Sequence, residues 1–207
     1  TDHPEYFPNI NKLYNEGWAW TNAFSPRNAC STGNNEMTGL TSLFTINKSC
    51  TANVYKDNTY FEAMFNLFNR KGYTTSSYHD YTDHYYYRHT IHPNIGSMHY
   101  YGVNDLGIKL GTEYKPWPSD VEFVEKATPH FINEDKFMAW MTTVSTHMSY
   151  ESSSVTGDMY LDLYKDENYT KSAKRYMSKL KILDNAIGEL IDELTTAGRL
   201  EDTVIVL

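Results

Sequence analysis

Apolar positions along this chain of 207 residues switch repeatedly between a helical and a strand-like spacing. Ile10, Leu13 and Tyr14 fall at i, i+3 and i+4 between Asn9 and Glu16, and Gly17 follows, which predicts a short amphipathic helix with a glycine stop. Trp18 to Phe24 then alternates and reads as a strand. From Tyr60 to Arg70 the helical spacing returns, with Phe61, Met64, Phe65 and Phe68 on one face and Lys71-Gly72 closing it; Tyr73 to Tyr78 reads as the strand it feeds. Ser119 is placed to cap a helix running to about Lys126, with Asp120 and Glu122 in a first turn where the helix dipole favours negative charge. Phe137 to Val144 is a nearly continuous apolar run, expected as a buried strand that delivers Ser145-Thr146-His147 at its carboxyl end, where ligands bind in open α/β sheets. The longest periodic stretch runs from about Tyr169 to Ala197, its stripe made by Tyr176, Leu180, Leu183, Ile187, Leu190, Ile191 and Leu194, and Gly198 stops it. Val204 to Leu207 is β-branched and apolar and reads as a last, central strand. Helix and strand alternate, so the expected fold class is α/β, a largely parallel sheet flanked by helices and truncated at both ends.

The interval 79–118 fits neither period and is expected as a long irregular segment over the sheet edge. It holds Tyr85-Tyr86-Tyr87-Arg88 among His79, His84, His89, His92 and His99. Aromatic bodies with polar tips suit a wet cleft, and equally a loop packed on a sheet. No role is assigned to His84, His89 or His92. A formal charge of −8 without a stripe of Lys and Arg argues against nucleic acid, so an anionic substrate must be met by a local site. No apolar run approaches the roughly 20 residues of a membrane span, and the chain as given is expected to be soluble. Cys30 and Cys50 either pair across the roughly twenty residues between them in an oxidising compartment or stay as buried thiols.

The turn Cys30-Ser31-Thr32-Gly33-Asn34-Asn35-Glu36 is the strongest chemical signal. It precedes a helix expected near Met37 to Leu43, and Gly33 with two Asn permits tight or left-handed backbone. Such a turn presents Thr32 Oγ1 at a helix start, where unpaired N–H groups favour a phosphoryl anion. A plain N-cap at Ser31 or Thr32 is the competing reading.

That turn, together with Pro8-Asn9-Ile10-Asn11-Lys12-Leu13, Asn58-Thr59-Tyr60, Lys71-Gly72-Tyr73, Tyr87-Arg88, Thr146-His147 and Asp202-Thr203-Val204-Ile205-Val206, resembles the extracellular catalytic domain of lipoteichoic acid synthase-like phosphoglycerol transferases, in the alkaline phosphatase and sulfatase superfamily. The resemblance implies one sulfatase-like catalytic domain fragment over residues 1–207. It implies Thr32 as nucleophile and metal ligand, with Glu36 four residues on. A divalent metal, Mn2+ or Mg2+, is implied as cofactor; its remaining ligands, an acidic residue and an Asp-His pair, are expected outside the chain, so the chain alone is expected to be inactive. Arg88 and His147 are implied beside the substrate phosphate, and Tyr86 and Asp80 at the glycerol pocket. The implied reaction moves glycerol phosphate from a phosphatidylglycerol-type lipid to a glycerol or sugar hydroxyl through a covalent threonine intermediate. Its implied place is the extracellular face of a bacterial cell membrane, held there by segments absent from this chain.

Three alternatives stay open. A sulfatase would convert a cysteine at a Cys-x-Pro-x-Arg motif, but Thr32 and Asn34 stand where that motif has Pro and Arg, so Cys30 reads as structural. A phosphoethanolamine transferase shares the threonine chemistry. A non-catalytic homologue would use the same pocket to bind an anion or glycan.

Overall fold

A computed structural model of the chain describes residues 3–25, 29–46, 49–111 and 118–207. In chain order the elements are α1 (Pro8–Glu16), α2 (Ser31–Thr41), α3 (Thr51–Val54), α4 (Met64–Asn69), β1 (Thr74–His79), α5 (Arg88–Asn94), β2 (His99–Tyr101), α6 (Asp120–Ala127), β3 (Phe137–Thr142), α7 (Val155–Asp158) and α8 (Lys171–Thr196). They fall into two compact units, one of Trp20–Gly102 with Glu134–Thr142 and the other of Thr1–Ala19, Val103–Asn133 and Thr143–Leu207.

The first, the sheet unit, is built on a parallel sheet of order β2-β1-β3. Ser76 pairs with His99 on one side and Ala139 on the other, so β1 is central. Its sequence, Thr-Thr-Ser-Ser-Tyr-His, is polar yet buried, and each hydroxyl is answered: Thr75 donates to Asn69 Oδ1 at 2.7 Å, Ser77 and Ser97 share a bond of 2.8 Å, and Tyr78 donates to Ser76 Oγ at 2.8 Å. Buried hydroxyls cost little only when paired in this way. On the helical side Met37, Leu40, Ala52, Phe65, Ile91 and Ile95 form one apolar cluster, with Met138 and Trp140 of β3 packed against it. Each such large side chain contributes about 1.5–3 kcal/mol when removed from water.

The second, the helical unit, centres on α8, whose length follows its apolar stripe and whose N-terminus is capped by Thr170 Oγ1, accepting from the Ala173 N–H. Asp184 of α8 accepts from the Ile10 N–H at 2.9 Å and supplies the N-terminal anion that α1 lacks in its own first turn. Ser119 caps α6 by accepting from the Val121 N–H.

Several expectations are corrected. Trp18 to Phe24 forms turns and irregular chain, with both tryptophans exposed; two-residue alternation without a neighbouring strand to pair with does not make a strand. The helix expected near Met37 starts six residues earlier, at Ser31, and stops at Ser42 in a left-handed conformation. The stretch from Tyr60 is helical only from Met64, leaving Phe61 exposed. Residues 79–111 are not irregular throughout: they contain α5 and β2, while 112–117 lie outside the described residues. β3 is half-buried rather than buried. Val204 to Leu207 is in no strand, and among the described residues nothing pairs with it.

Candidate active site

Helix α2 begins with Ser31, so Thr32 lies in its first turn with an exposed side chain. Neither Ser31 nor Thr32 is the N-cap. That position belongs to Cys30, which sits at φ 57°, ψ 54° and makes no side-chain cap bond. A left-handed non-glycine residue costs of order 1 kcal/mol and persists only where its surroundings hold it. Two devices hold it here. Cys30 forms a disulfide with Cys50, the residue before α3. In parallel, the fully buried Asn34 side chain donates to Ala29 O at 2.5 Å and Ser49 O at 3.2 Å and accepts from the Ala52 N–H at 3.3 Å. The first intrahelical bond runs from Asn34 N to Cys30 O, so the N–H groups of Ser31, Thr32 and Gly33 have no intrahelical acceptor.

Gly33 sits where there is little room for a side chain. A Cβ there would lie 3.0 Å from ring carbons of Tyr86 and 3.2 Å from Cys30 Sγ. Tyr86 therefore rests directly on the turn that carries Thr32. Tyr86 and Tyr87 are both left-handed, at φ 56° and 53°, immediately before α5 starts at Arg88. Such strained pairs cluster where a structure has a functional surface to shape.

Beneath α2 lies a buried ionic network. The Glu36 carboxylate accepts from Arg88 Nε at 2.8 Å, His92 Nε2 at 3.1 Å, Trp140 Nε1 at 3.2 Å and Thr142 Oγ1 at 2.9 Å. Burial alone would raise its pKa; the Arg88 charge and the bonds from His92 and Thr142 outweigh this and hold it well below the ordinary carboxylate value. Arg88 is 2% exposed, donates also to Tyr85 O at 3.3 Å, and sits 5.3 Å from the Tyr86 ring centre. Two of the nitrogens of its fork are thus committed within the protein.

At the carboxyl end of β1 the chain places His79 and Asp80, both buried. His79 Nδ1–H donates to Thr142 O at 2.9 Å, which leaves Nε2 as a lone pair, and that atom has no partner among the described residues. Burial, then the nearby Arg88 charge, pushes the His79 pKa down to about 4, so the ring is neutral at pH 7. Asp80 Oδ1 is 3.8 Å from the same Nδ1. Sequence reasoning passed over His79, although the argument used for His147, a histidine closing a strand at its carboxyl end, applies to it equally. The partners of Glu36 were also missed: 52 and 106 positions separate it from Arg88 and Thr142, beyond any local pattern.

Of the residues singled out from sequence, Thr32, Tyr86, Arg88 and Asp80 lie in the sheet unit, and Gly33 and Arg88 link the first three through contact with Tyr86. His147 lies in the helical unit, exposed, on the turn after β3. Its Nδ1–H donates to Met148 O at 2.7 Å.

The family profile described as sulfatase matches residues 1–207. The chain belongs to the sulfatase family. This sulfatase-family chain is 24% identical over 225 residues to a lipoteichoic acid synthase of Staphylococcus saprophyticus, covering 98% of the chain and 31% of that relative. The fold matches the crystal structure of the lipoteichoic acid synthase LtaP from Listeria monocytogenes with a TM-score of 0.80 and 24% identity, over 94% of the chain and 47% of LtaP. It matches a protein of the alkaline phosphatase superfamily from Vibrio parahaemolyticus with a TM-score of 0.69 and 20% identity, over 92% of the chain and 45% of that protein. The fold is therefore alkaline phosphatase/sulfatase-like, and the chain spans about a third to a half of the length of these relatives.

Superfamily members are generally metal-dependent. Among the described residues no group of three or more His, Cys, Asp or Glu side chains is placed to hold a metal, and Thr32 offers a single hydroxyl oxygen. Mn2+ and Mg2+ want about six oxygen ligands, so the described residues do not by themselves make up such a site. No helix among the described residues is long and apolar enough to cross a membrane.

Proposed function

We propose that this chain carries the nucleophile of a phosphoglycerol transferase. The observation that carries the reading is the exposed Thr32 in the first turn of α2, a turn fixed by the Cys30–Cys50 disulfide, by Asn34 and by the buried Glu36–Arg88 network. Similarity to a lipoteichoic acid synthase over 98% of the chain supports it. Cys30, where formylglycine chemistry would have to start, is bonded to Cys50, which favours threonine over the sulfatase alternative.

The reaction has two displacements at phosphorus. Thr32 Oγ1 attacks the phosphorus of a phosphatidylglycerol-type lipid; the bond from phosphorus to the diacylglycerol oxygen breaks, and that oxygen takes up the proton lost by Thr32. An acceptor hydroxyl, of glycerol or a sugar, then attacks the glycerophosphoryl-threonine, the threonine–phosphorus bond breaks, and Thr32 regains a proton. The N–H groups at the start of α2 offset charge on the phosphoryl oxygens, and Arg88, paired with Glu36, holds that turn from beneath. The family resemblance, rather than the geometry, is what assigns His147 of the helical unit a phosphate-contacting role. Tyr86 and Asp80 carry the glycerol-pocket role that the resemblance implies, and His79 lies buried next to Asp80 in the chain.

An oxidising compartment, where a disulfide persists, agrees with work at the extracellular face of a bacterial membrane. The test is release of diacylglycerol from labelled lipid in the presence of Mn2+, by the 207 residues and by the chain with whatever sequence flanks it in its gene. Phosphatidylglycerol consumption abolished by Thr32→Ala supports the reading. Preference for phosphatidylethanolamine would replace the donor, and binding of glycerol phosphate without turnover would favour a binding homologue.

A further inference from the structure

Helix α8 sends two cations towards the chain that follows β3, and they are treated very differently. Arg175 is paired: Nε donates to Asp158 Oδ1 at 2.7 Å, while Nη1 and Nη2 reach Glu151 O and Ser153 Oγ. Lys179 is 1% exposed and forms no ion pair among the described residues. Its Nζ donates instead to two backbone carbonyls, His147 O at 2.5 Å and Ser149 O at 3.3 Å, and lies 5.4 Å from the centre of the Tyr150 ring. Tyr150 in turn donates to Thr146 O at 2.8 Å. The opposite side of the same turn is held by Asp120, whose Oδ1 accepts from the Val144 and Ser145 N–H groups, and by the Ser145 Oγ that accepts from Asp120 N.

A buried ammonium without a counter-charge is costly, and burial pushes its pKa down accordingly. An apolar side chain of the same length would cost the fold less, since replacing buried charge by apolar volume is often neutral or stabilising. What the ammonium supplies and an apolar chain cannot is a pair of hydrogen bonds to the carbonyls on either side of Met148.

We propose that Lys179 is a positioning residue for His147, fixing the backbone of residues 147–149 and with it the place of the imidazole. This rests on the reading of His147 given under Proposed function. Misplacing a group by about 1 Å costs of order 100-fold in rate, so losing this clamp lowers kcat by about 10- to 100-fold with a smaller change in KM.

The experiment is Lys179→Met, which keeps the apolar stem, set beside Arg175→Met, which breaks a compensated cation on the same helix. For Lys179→Met the expected result is a thermal midpoint equal to or above that of the wild type, faster amide hydrogen exchange at 147–149, altered His147 ring NMR shifts on titration with inorganic phosphate, and the fall in kcat. For Arg175→Met it is a lower midpoint. A Lys179→Met protein with wild-type kcat and wild-type exchange overturns the proposal. So does a midpoint that drops together with activity, which would make Lys179 a structural cation like Arg175. No transfer by the chain together with the sequence that flanks it in its gene overturns the transferase reading; for the 207 residues alone, which are expected to be inactive, the exchange and the phosphate titration decide whether Lys179 positions His147.

Discussion

Replacing Glu36 by glutamine should destabilise the sheet unit by about 3 kcal/mol, a figure that follows from its four donors. The carboxylate accepts from Arg88, His92, Trp140 and Thr142 at 2.8 to 3.2 Å. An amide has one accepting oxygen and one donating nitrogen, and of the four partners only the Thr142 hydroxyl and, by changing tautomer, His92 can turn to accept, whereas Arg88 Nε and Trp140 Nε1 can only donate. At least one N–H is left facing an NH2, which costs about 1–3 kcal/mol, and Arg88, 2% exposed, loses its counter-charge. Breaking a buried pair from one side costs about 3–5 kcal/mol in all, and glutamine, which keeps the shape and one acceptor, belongs at the low end. Urea unfolding followed by tryptophan fluorescence measures this, with Trp140 itself bonded to Glu36 as a reporter. Because the cost lies in the uncompensated arginine, Glu36→Leu combined with Arg88→Met should cost less than the two single changes together. A Glu36→Gln cost below about 0.5 kcal/mol, or strict additivity in the double variant, would refute the reasoning.

The remaining predictions concern protons and the disulfide. His79 has a folded pKa lowered from 6.5 to about 4, so the folded state favours its neutral form. Its contribution is fully present above pH 6.5 and lost as pH falls through about 4, roughly 3 kcal/mol across that window. The loss of urea stability between pH 7 and pH 4.5 should therefore be smaller in His79→Gln than in the wild type; equal slopes would contradict the assigned tautomer and burial. The Glu36 carboxylate, also depressed, keeps its contribution throughout that range and loses it only at more acidic pH. Reducing the Cys30–Cys50 bridge, which closes a span of 20 residues, should lower stability by about 3 kcal/mol. The Cys30→Ser/Cys50→Ser protein should show no response to reductant, and an unchanged urea midpoint on reduction of the wild type would count against the bridge.

Much of the fold was legible where a periodic stretch is bounded by a residue with a specific local role. Gly17 ends α1, Ser119 caps α6, and the seven-residue stripe of α8 lies within the helix observed. The alternation of helix and strand also carried over into a parallel sheet. Reading failed where elements are too short for a period to show. β2 has three residues, and α5 has seven and contains Pro93, so neither stands out in a His- and Tyr-rich run. It failed in the opposite sense at Trp18 to Phe24 and Val204 to Leu207, where strand-like residues find no neighbour to bond with among those described. In the candidate site the turn around Thr32 was visible because its hydroxyls and glycine are contiguous. The network under it was not, because Glu36, Arg88, His92 and Thr142 meet only through tertiary packing.

The central claim is that Thr32 is the nucleophile, and peptide-mapped mass spectrometry tests it most directly. The chain, alone and with whatever sequence flanks it in its gene, is incubated with Mn2+ and phosphatidylglycerol and digested. The account predicts a glycerophosphoryl group on the peptide containing Thr32, absent from Thr32→Ala. An unmodified Thr32 peptide in a protein that is nevertheless turning over lipid, or the same adduct on another residue, would contradict it.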